Sequence, residues 1–291
     1  VKIKCHFLTL LATTLVAGSF LASEELSQII NPLSLTLLRF LGATLILSPI
    51  VFSRENWRKK ILPLLPRALI ISLFYALFFI AHFESFKTTT AINTGALFTL
   101  IPFITAIISI IVFKETLSTR ELIAYLAGAI GTSWIVFSDQ LKLLFSFTLN
   151  EGDLIFMLAV ISMSLYTVAR KYLYRDDEMV VLVFATLLGG SFWTALALIF
   201  TNQSLNWHLI QGNFLFQMIY LIIGATLMTV YLYQKTTVIL GANRVSAYIY
   251  LTPALVVILK FFIDGTSITM NIMLGIIMSA VSTIILQKNK N

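Results

Sequence analysis

Long apolar runs separated by short polar breaks dominate this chain. Ten can be drawn, near residues 6–23, 33–53, 66–86, 91–113, 119–137, 152–173, 179–200, 214–234, 240–262 and 268–286. Each is about 17–24 residues long, enough to cross a bilayer as a helix. One stretch is present twice. Residues 91–137 lie over residues 242–286 so that Ala91 meets Ala242, Pro102 meets Pro253, Ala124 meets Gly275 and Gly131 meets Ser282. Each copy is an apolar span with a central proline, a polar break, then a second span lined with small residues. The expectation is an all-α polytopic membrane protein of ten transmembrane helices, built as two five-helix repeats, 1–140 and 141–291. The polar-leaning segment 138–151 divides them. Because five is odd, the repeats are inverted, related by a pseudo-two-fold axis in the membrane plane.

Composition excludes the soluble classes. Only 11% of the 291 residues are charged and 58% are hydrophobic, whereas soluble domains carry about a quarter charged residues. The placement of the cations tests the topology. With the N-terminus cytoplasmic, sixteen Lys and Arg fall on the inner side, Lys87, Lys142 and Lys260 on the outer, and Arg39 within the second span. This asymmetry obeys the positive-inside rule and predicts that both termini are cytoplasmic. It also explains the formal charge of +7 as topology, with no call for a nucleic-acid partner. The basic start, the apolar run 7–21 and Ala22-Ser23-Glu24 fit a cleaved signal peptide as well. That alternative leaves nine spans and destroys the match between halves. Cys5 is the single cysteine, so no intramolecular disulfide forms.

The matched prolines carry the main mechanistic expectation. Pro102 and Pro253 each lie about eleven residues into their span, close to mid-membrane at 1.5 Å per residue. Each lacks an amide hydrogen and clashes with the carbonyl four residues earlier, at Phe98 and Ile249. In lipid, the freed carbonyls must be satisfied by protein, water or a cavity. A kinked packing helix and a cavity-lining pair are the two readings. The small residues Ala124, Gly128 and Gly131, and Gly275, Ser279 and Ser282, form stripes that permit close helix approach, within one monomer or in a dimer.

Ionisable groups inside spans are functional candidates by default. Arg39 lies fifteen residues before Arg54, roughly 22 Å up the second span. Glu24, Glu25, Glu84 and Lys87 end their spans on that outer side, so an outer cluster of Arg39 with Glu84, Glu24 or Glu25 is one expectation and interfacial snorkelling the other. Glu84 and His82 are the candidates for proton coupling. Tyr75, Phe79, His82 and Phe86 fall on one stripe of the third span, either packed or facing a cavity. Tyr166, Tyr231, Tyr248 and Tyr250 are further hydroxyls that a central cavity could use. Such walls suit zwitterionic or weakly charged organic solutes. Arg170, Lys171, Lys235 and Arg244 read as cytoplasmic orientation signals.

Several local features together resemble the EamA-like family of the drug/metabolite transporter superfamily. They are Arg39-Phe40 after Pro32, Pro102 followed by Glu115-Thr116-Leu117 and Gly131, Gly152-Asp153, Tyr166 before Arg170-Lys171, and Pro253 followed by Gly275. Thr266 stands where the second half would match Glu115, which suggests a turn or capping role for Glu115. The resemblance implies a ten-helix fold whose third, fourth, eighth and ninth helices surround a central site. It also implies secondary transport of amino acids or related metabolites across a bacterial inner membrane, without cofactor or metal. The cavity candidates are then Tyr75, Phe79, His82, Phe98, Pro102, Tyr166, Tyr231, Tyr248 and Pro253. Neither monomer nor homodimer is favoured. Two rival readings are a membrane enzyme acting on lipid-linked substrates and a channel. Against the first, His6, His82 and His208 are dispersed and no HExxH occurs; against the second, no filter sequence is visible.

Overall fold

A computed structural model describes residues 2–85, 87–89, 91–137, 150–265 and 267–288. Phe86, Lys142, Thr266 and the expected boundary at 140 lie outside the described residues. Among the described residues, thirteen α-helices follow in chain order. The first half holds α1 (Lys2–Ser27), α2 (Pro32–Phe52), α3 (Glu55–Ser85), α4 (Ala91–Phe98), α5 (Ile101–Phe113) and α6 (Thr119–Val136). The second holds α7 (Glu151–Tyr172), α8 (Met179–Thr201), α9 (Asn213–Ile222), α10 (Thr229–Leu240), α11 (Ala242–Ala247), α12 (Thr252–Asp264) and α13 (Met270–Gln287). A π-helical turn, Ile223–Met228, joins α9 to α10, and a 3₁₀ turn, Tyr248–Leu251, joins α11 to α12. Eight helical stretches among the described residues are long and apolar enough to cross a membrane, and Ile101–Phe113 is a shorter apolar helix.

Local chemistry sets the boundaries. Asn31 caps α2 by accepting from the amides of Leu33 and Ser34, with Pro32 as the first helical residue. Ser118 with Glu121, and Asn150 with Asp153, form reciprocal capping boxes that start α6 and α7. Gly241, at φ 96°, turns the chain sharply between α10 and α11, a conformation that a side chain would strain. The third helix begins eleven residues before the expected span, because the amphipathic segment from Glu55 continues the helix through Pro63 and Pro66. Trp57 and Ile61 from that segment pack against core clusters.

The two central prolines break their helices instead of kinking them. Pro102 and Pro253 are each the second residue of a new helix, α5 and α12, where the missing N–H is not needed. The expected clash with Phe98 and Ile249 is thereby avoided, since the chain has already turned. Carbonyls freed at the breaks find hydroxyls on other helices. Ser164 Oγ donates to Ile101 O at 3.2 Å. Thr132 Oγ1 donates to Tyr250 O at 3.3 Å, and Thr283 Oγ1 to Ala247 O at 3.3 Å.

Helix contacts come in pairs that exchange when the halves are swapped. α3 packs on α7 as α1 packs on α10, and α5 on α7 as α1 on α12. α2 against α8, and α6 against α13, join equivalent helices of the two halves. The small-residue stripes meet at that last pair. A Cβ on Gly131 would lie 2.7 Å from Met278 Cβ, and one on Gly275 would lie 2.8 Å from Gly131 O. The stripes therefore serve close packing within one chain.

Candidate functional site

Two regions lie between the halves. The upper one is a cavity of about 380 Å³, walled by His82, Phe98, Phe156 and Pro253 together with Phe20 and Thr94. His82 sits in a ring of aromatics, its centroid 5.6 Å from Phe78, 5.3 Å from Phe83 and 5.3 Å from Phe156. The lower region is an aromatic cluster around two arginines. α3 is the spine that joins them. Its residues Tyr75, Phe78, Phe79 and His82 run from one region to the other through ring contacts of 5.1–5.6 Å.

In the lower cluster Tyr75 stacks face to face on Tyr166 of α7, centroids 4.3 Å apart and planes at 10°. Phe40 of α2 and Phe79 lie against Tyr75 at 5.3 and 5.2 Å. Arg170 is one helical turn below Tyr166 on the same face of α7, an i, i+4 relation. Its guanidinium carbon lies 4.6 Å from the Tyr166 centroid and 5.5 Å from that of Tyr233. Tyr233 Oη shares a 3.0 Å hydrogen bond with Thr13 of α1, and Gln234 donates to the Arg170 carbonyl at 2.9 Å. Tyr166 and Arg170 are each only 3% exposed. Tyr75 and Tyr233 are only partly buried.

Arg39 is 8% exposed. The expected outer cluster with Glu84, Glu24 or Glu25 does not form. Arg39 Nε donates to Thr226 Oγ1 at 3.0 Å and Nη2 to Ala225 O at 3.4 Å, both on the π-helical turn. Such a turn frees a carbonyl from its helical ladder, which is why π turns recur where side chains must be held. Its guanidinium carbon also lies 5.8 Å from the Phe79 centroid. The glutamates instead pair near the surface: Glu84 with Lys87 at 2.7 Å, Glu24 with Lys260 at 4.0 Å, and Glu25 with Gln217 at 2.5 Å.

The structure divides the remaining sequence candidates. Pro102 is buried at its helix break. Tyr231 packs on the edge of the Phe40 cluster, with Lys235 Nζ 5.9 Å from its ring. Tyr248 lies apart, its hydroxyl 3.0 Å from His6 Nδ1. Tyr250 is fully buried and donates to Tyr125 O at 2.9 Å. Glu115 is more than a cap, since it accepts from Asn243 at 2.5 Å and lies 3.8 Å from Lys171, both in the other half. Arg67 and Asp177 make a second link between halves, at 2.6 and 2.9 Å.

Sequence reasoning missed Arg170, which it assigned to the cytoplasmic charge. The available signal was the Tyr166–Arg170 spacing, which puts a guanidinium over a ring one turn away. Adjacent residues point about 100° apart on a helix, so Arg170 turns inward while Lys171 faces Glu115. Asp153 was read only as a motif residue; it is fully buried and accepts from Thr89 of the other half. Burying a charge costs roughly several kcal/mol even after relaxation, and a desolvated ring contact returns about 2 kcal/mol. Arg170 is thus an expensive residue in this position. Among the described residues, no group of three or more His, Cys, Asp or Glu could hold a metal ion.

Comparison with known proteins now bears on this geometry. The EamA-like transporter family model matches residues 3–137 and again 150–287. No curated protein matches the sequence significantly. A solved chain titled "Crystal structure of protein" is similar in fold, with a TM-score of 0.78 at 16% identity, covering 98% of this chain and 96% of that one.

Proposed function

The chain belongs to the EamA-like transporter family, and from that premise we propose that it is a secondary transporter of small organic solutes, amino acids or related metabolites among them. Its two halves, 1–140 and 141–291, rock about an inverted two-fold axis with ten crossings and both termini cytoplasmic, in a bacterial inner membrane. The observation that carries this reading is the position of the cavity and the aromatic cluster, both lined from α1, α3 and α7 and thus from both halves. Helices broken at matched prolines flank the cavity, the arrangement in which transporters expose backbone to solute.

In this orientation the cavity lies toward the outer ends of α3 and α7. Glu115 with Lys171 and Asn243, and Arg67 with Asp177, hold the inner side closed. Exchange of one arrangement for the other gives alternating access, and the proton, if one is coupled, would enter at His82 rather than at the exposed Glu84. The test is solute counterflow into proteoliposomes containing the purified protein, across a panel of amino acids and nucleotide-related metabolites. Saturable accumulation of one solute, stopped by Tyr75→Ala, is the expected result. Flux that rises linearly with concentration for every solute would point to a channel and sink the reading.

A further inference from the structure

Arg170 has a property that its packing does not explain. Its Nε and Nη1 atoms are buried and have no hydrogen-bond partner among the described residues, and none of the ion pairs found includes it. The side chain is 3% exposed. Tyr166 on α7 and Tyr233 on α10 present their rings to its guanidinium and the Tyr166 hydroxyl interacts with it, but a ring face cannot accept from in-plane N–H groups and Nε and Nη1 stay unfilled. One turn beyond Tyr233, on the same face of α10, Thr237 Oγ1 is likewise buried without a partner. Native interiors satisfy nearly all such groups, so an orphaned set points to a missing ligand.

From this we infer that Arg170, backed by Tyr166, Tyr233 and Tyr75, binds the carboxylate of the transported solute. The inference rests on the transporter reading above and names the charge of its substrate. One unpaired guanidinium matches one negative charge; a phosphate monoester, near −2 at pH 7, would leave charge uncompensated in an apolar setting. Stacked rings beside the arginine supply a surface for the apolar part of the solute. The site is shut in this conformation. The next residue, Lys171, is latched to Glu115 of the other half at 3.8 Å, so the parting of the halves that opens the inner side also uncovers Arg170.

The experiment measures thermal stabilisation of the purified full-length protein by acid and amide pairs: L-phenylalanine and L-phenylalaninamide, L-leucine and L-leucinamide, benzoate and benzamide. A ligand of the folded state raises Tm in step with its saturation. At least one acid should stabilise and its amide should not. Arg170→Met should lose that stabilisation, weakening Kd by at least about tenfold, because the carboxylate loses a buried charged partner. Arg170→Lys should restore part of it. Without ligand, Arg170→Met should melt no lower than the native protein, since it removes a buried charge that has no anionic partner among the described residues. Equal stabilisation by acid and amide, stabilisation by phenyl phosphate above every acid, or no response to any acid would each overturn the assignment. So would an Arg170→Met protein that melts lower yet keeps its response to acids. If counterflow of a solute survives in Arg170→Met, the transporter reading stands and the anion site falls; acid binding without counterflow would do the reverse.

Discussion

Arg39 and Arg170 are the same residue type in the same kind of place, one from each half, each less than a tenth exposed and each over an aromatic ring. Their surroundings differ. Arg39 reaches a hydroxyl and a carbonyl on the π-helical turn, so its charge is spent on holding α2 against the second half. Arg170 has the rings of Tyr166 and Tyr233 beside it, but its Nε and Nη1 make no hydrogen bond among the described residues. The difference teaches that burial alone does not mark a functional charge; the count of unfilled hydrogen bonds does. On the proposed reading one arginine stabilises the fold, and the other is kept at the fold's expense.

The comparison can be broken most directly at Arg39. Arg39→Met leaves the Thr226 hydroxyl without the donor it accepts from, while Ala225 O keeps its bond from Thr229, and should cost about 1–3 kcal/mol. Melting of the purified protein would show a clear fall in Tm, in contrast to Arg170→Met. Equal falls for both variants would erase the distinction. A smaller effect comes from Tyr166→Leu, which removes both the stack with Tyr75 and the ring over Arg170; about 1–2 kcal/mol is expected, and added acid should no longer stabilise the protein. Smaller again is Thr226→Val. It takes away the hydroxyl that satisfies Arg39 Nε and makes Arg39 resemble Arg170, at a cost of about 1 kcal/mol, while counterflow keeps its selectivity for solutes. The least stability is at stake in Glu115→Gln, because its partner Lys171 is substantially exposed and such pairs contribute about 0–1 kcal/mol. Its effect belongs to the closed inner side: cysteine labelling near Lys114 from the inner face should speed up, whereas unchanged labelling would remove Glu115 from the gate.

Much of the architecture was legible in the chain because it depends on quantities that are local and additive. Apolar length locates the helices, and the recurrence of Pro102 as Pro253 locates equivalent breaks. Even the small-residue stripes were visible, though whether they faced a neighbour in the same chain or in another was not. The structure answers that through the contact of Gly131 with Met278 and of Gly275 with Gly131. The helix boundaries of the third span were misjudged because window hydropathy sees the lipid-facing part and not the amphipathic turns from Glu55 that continue the same helix. The prolines were left between a kinked packing helix and a cavity-lining pair because a clash four residues back is a property of a continuous helix, and at both positions the chain had already turned before reaching them.

The site was the least legible part. Tyr75 and Phe79, named from spacing, and Tyr166, named as a hydroxyl a cavity could use, do come together, and His82, Phe98 and Pro253 share the cavity. Arg39 was recognised as costly but given the wrong partners, since depth along one helix says nothing about which face meets a π-helical turn some 190 residues away in sequence. Arg170 was counted among the orientation charges because it stands next to Lys171, and only a rotation of about 100° separates them. By itself the sequence determined membrane residence, the two-repeat plan and the matched positions of the prolines, because apolar length and backbone chemistry act within a few turns of one helix. Tertiary structure alone decided which buried charge is satisfied and which is left open. That depends on the donors and acceptors that distant helices bring within about 3 Å, a distance no pattern along a single chain encodes.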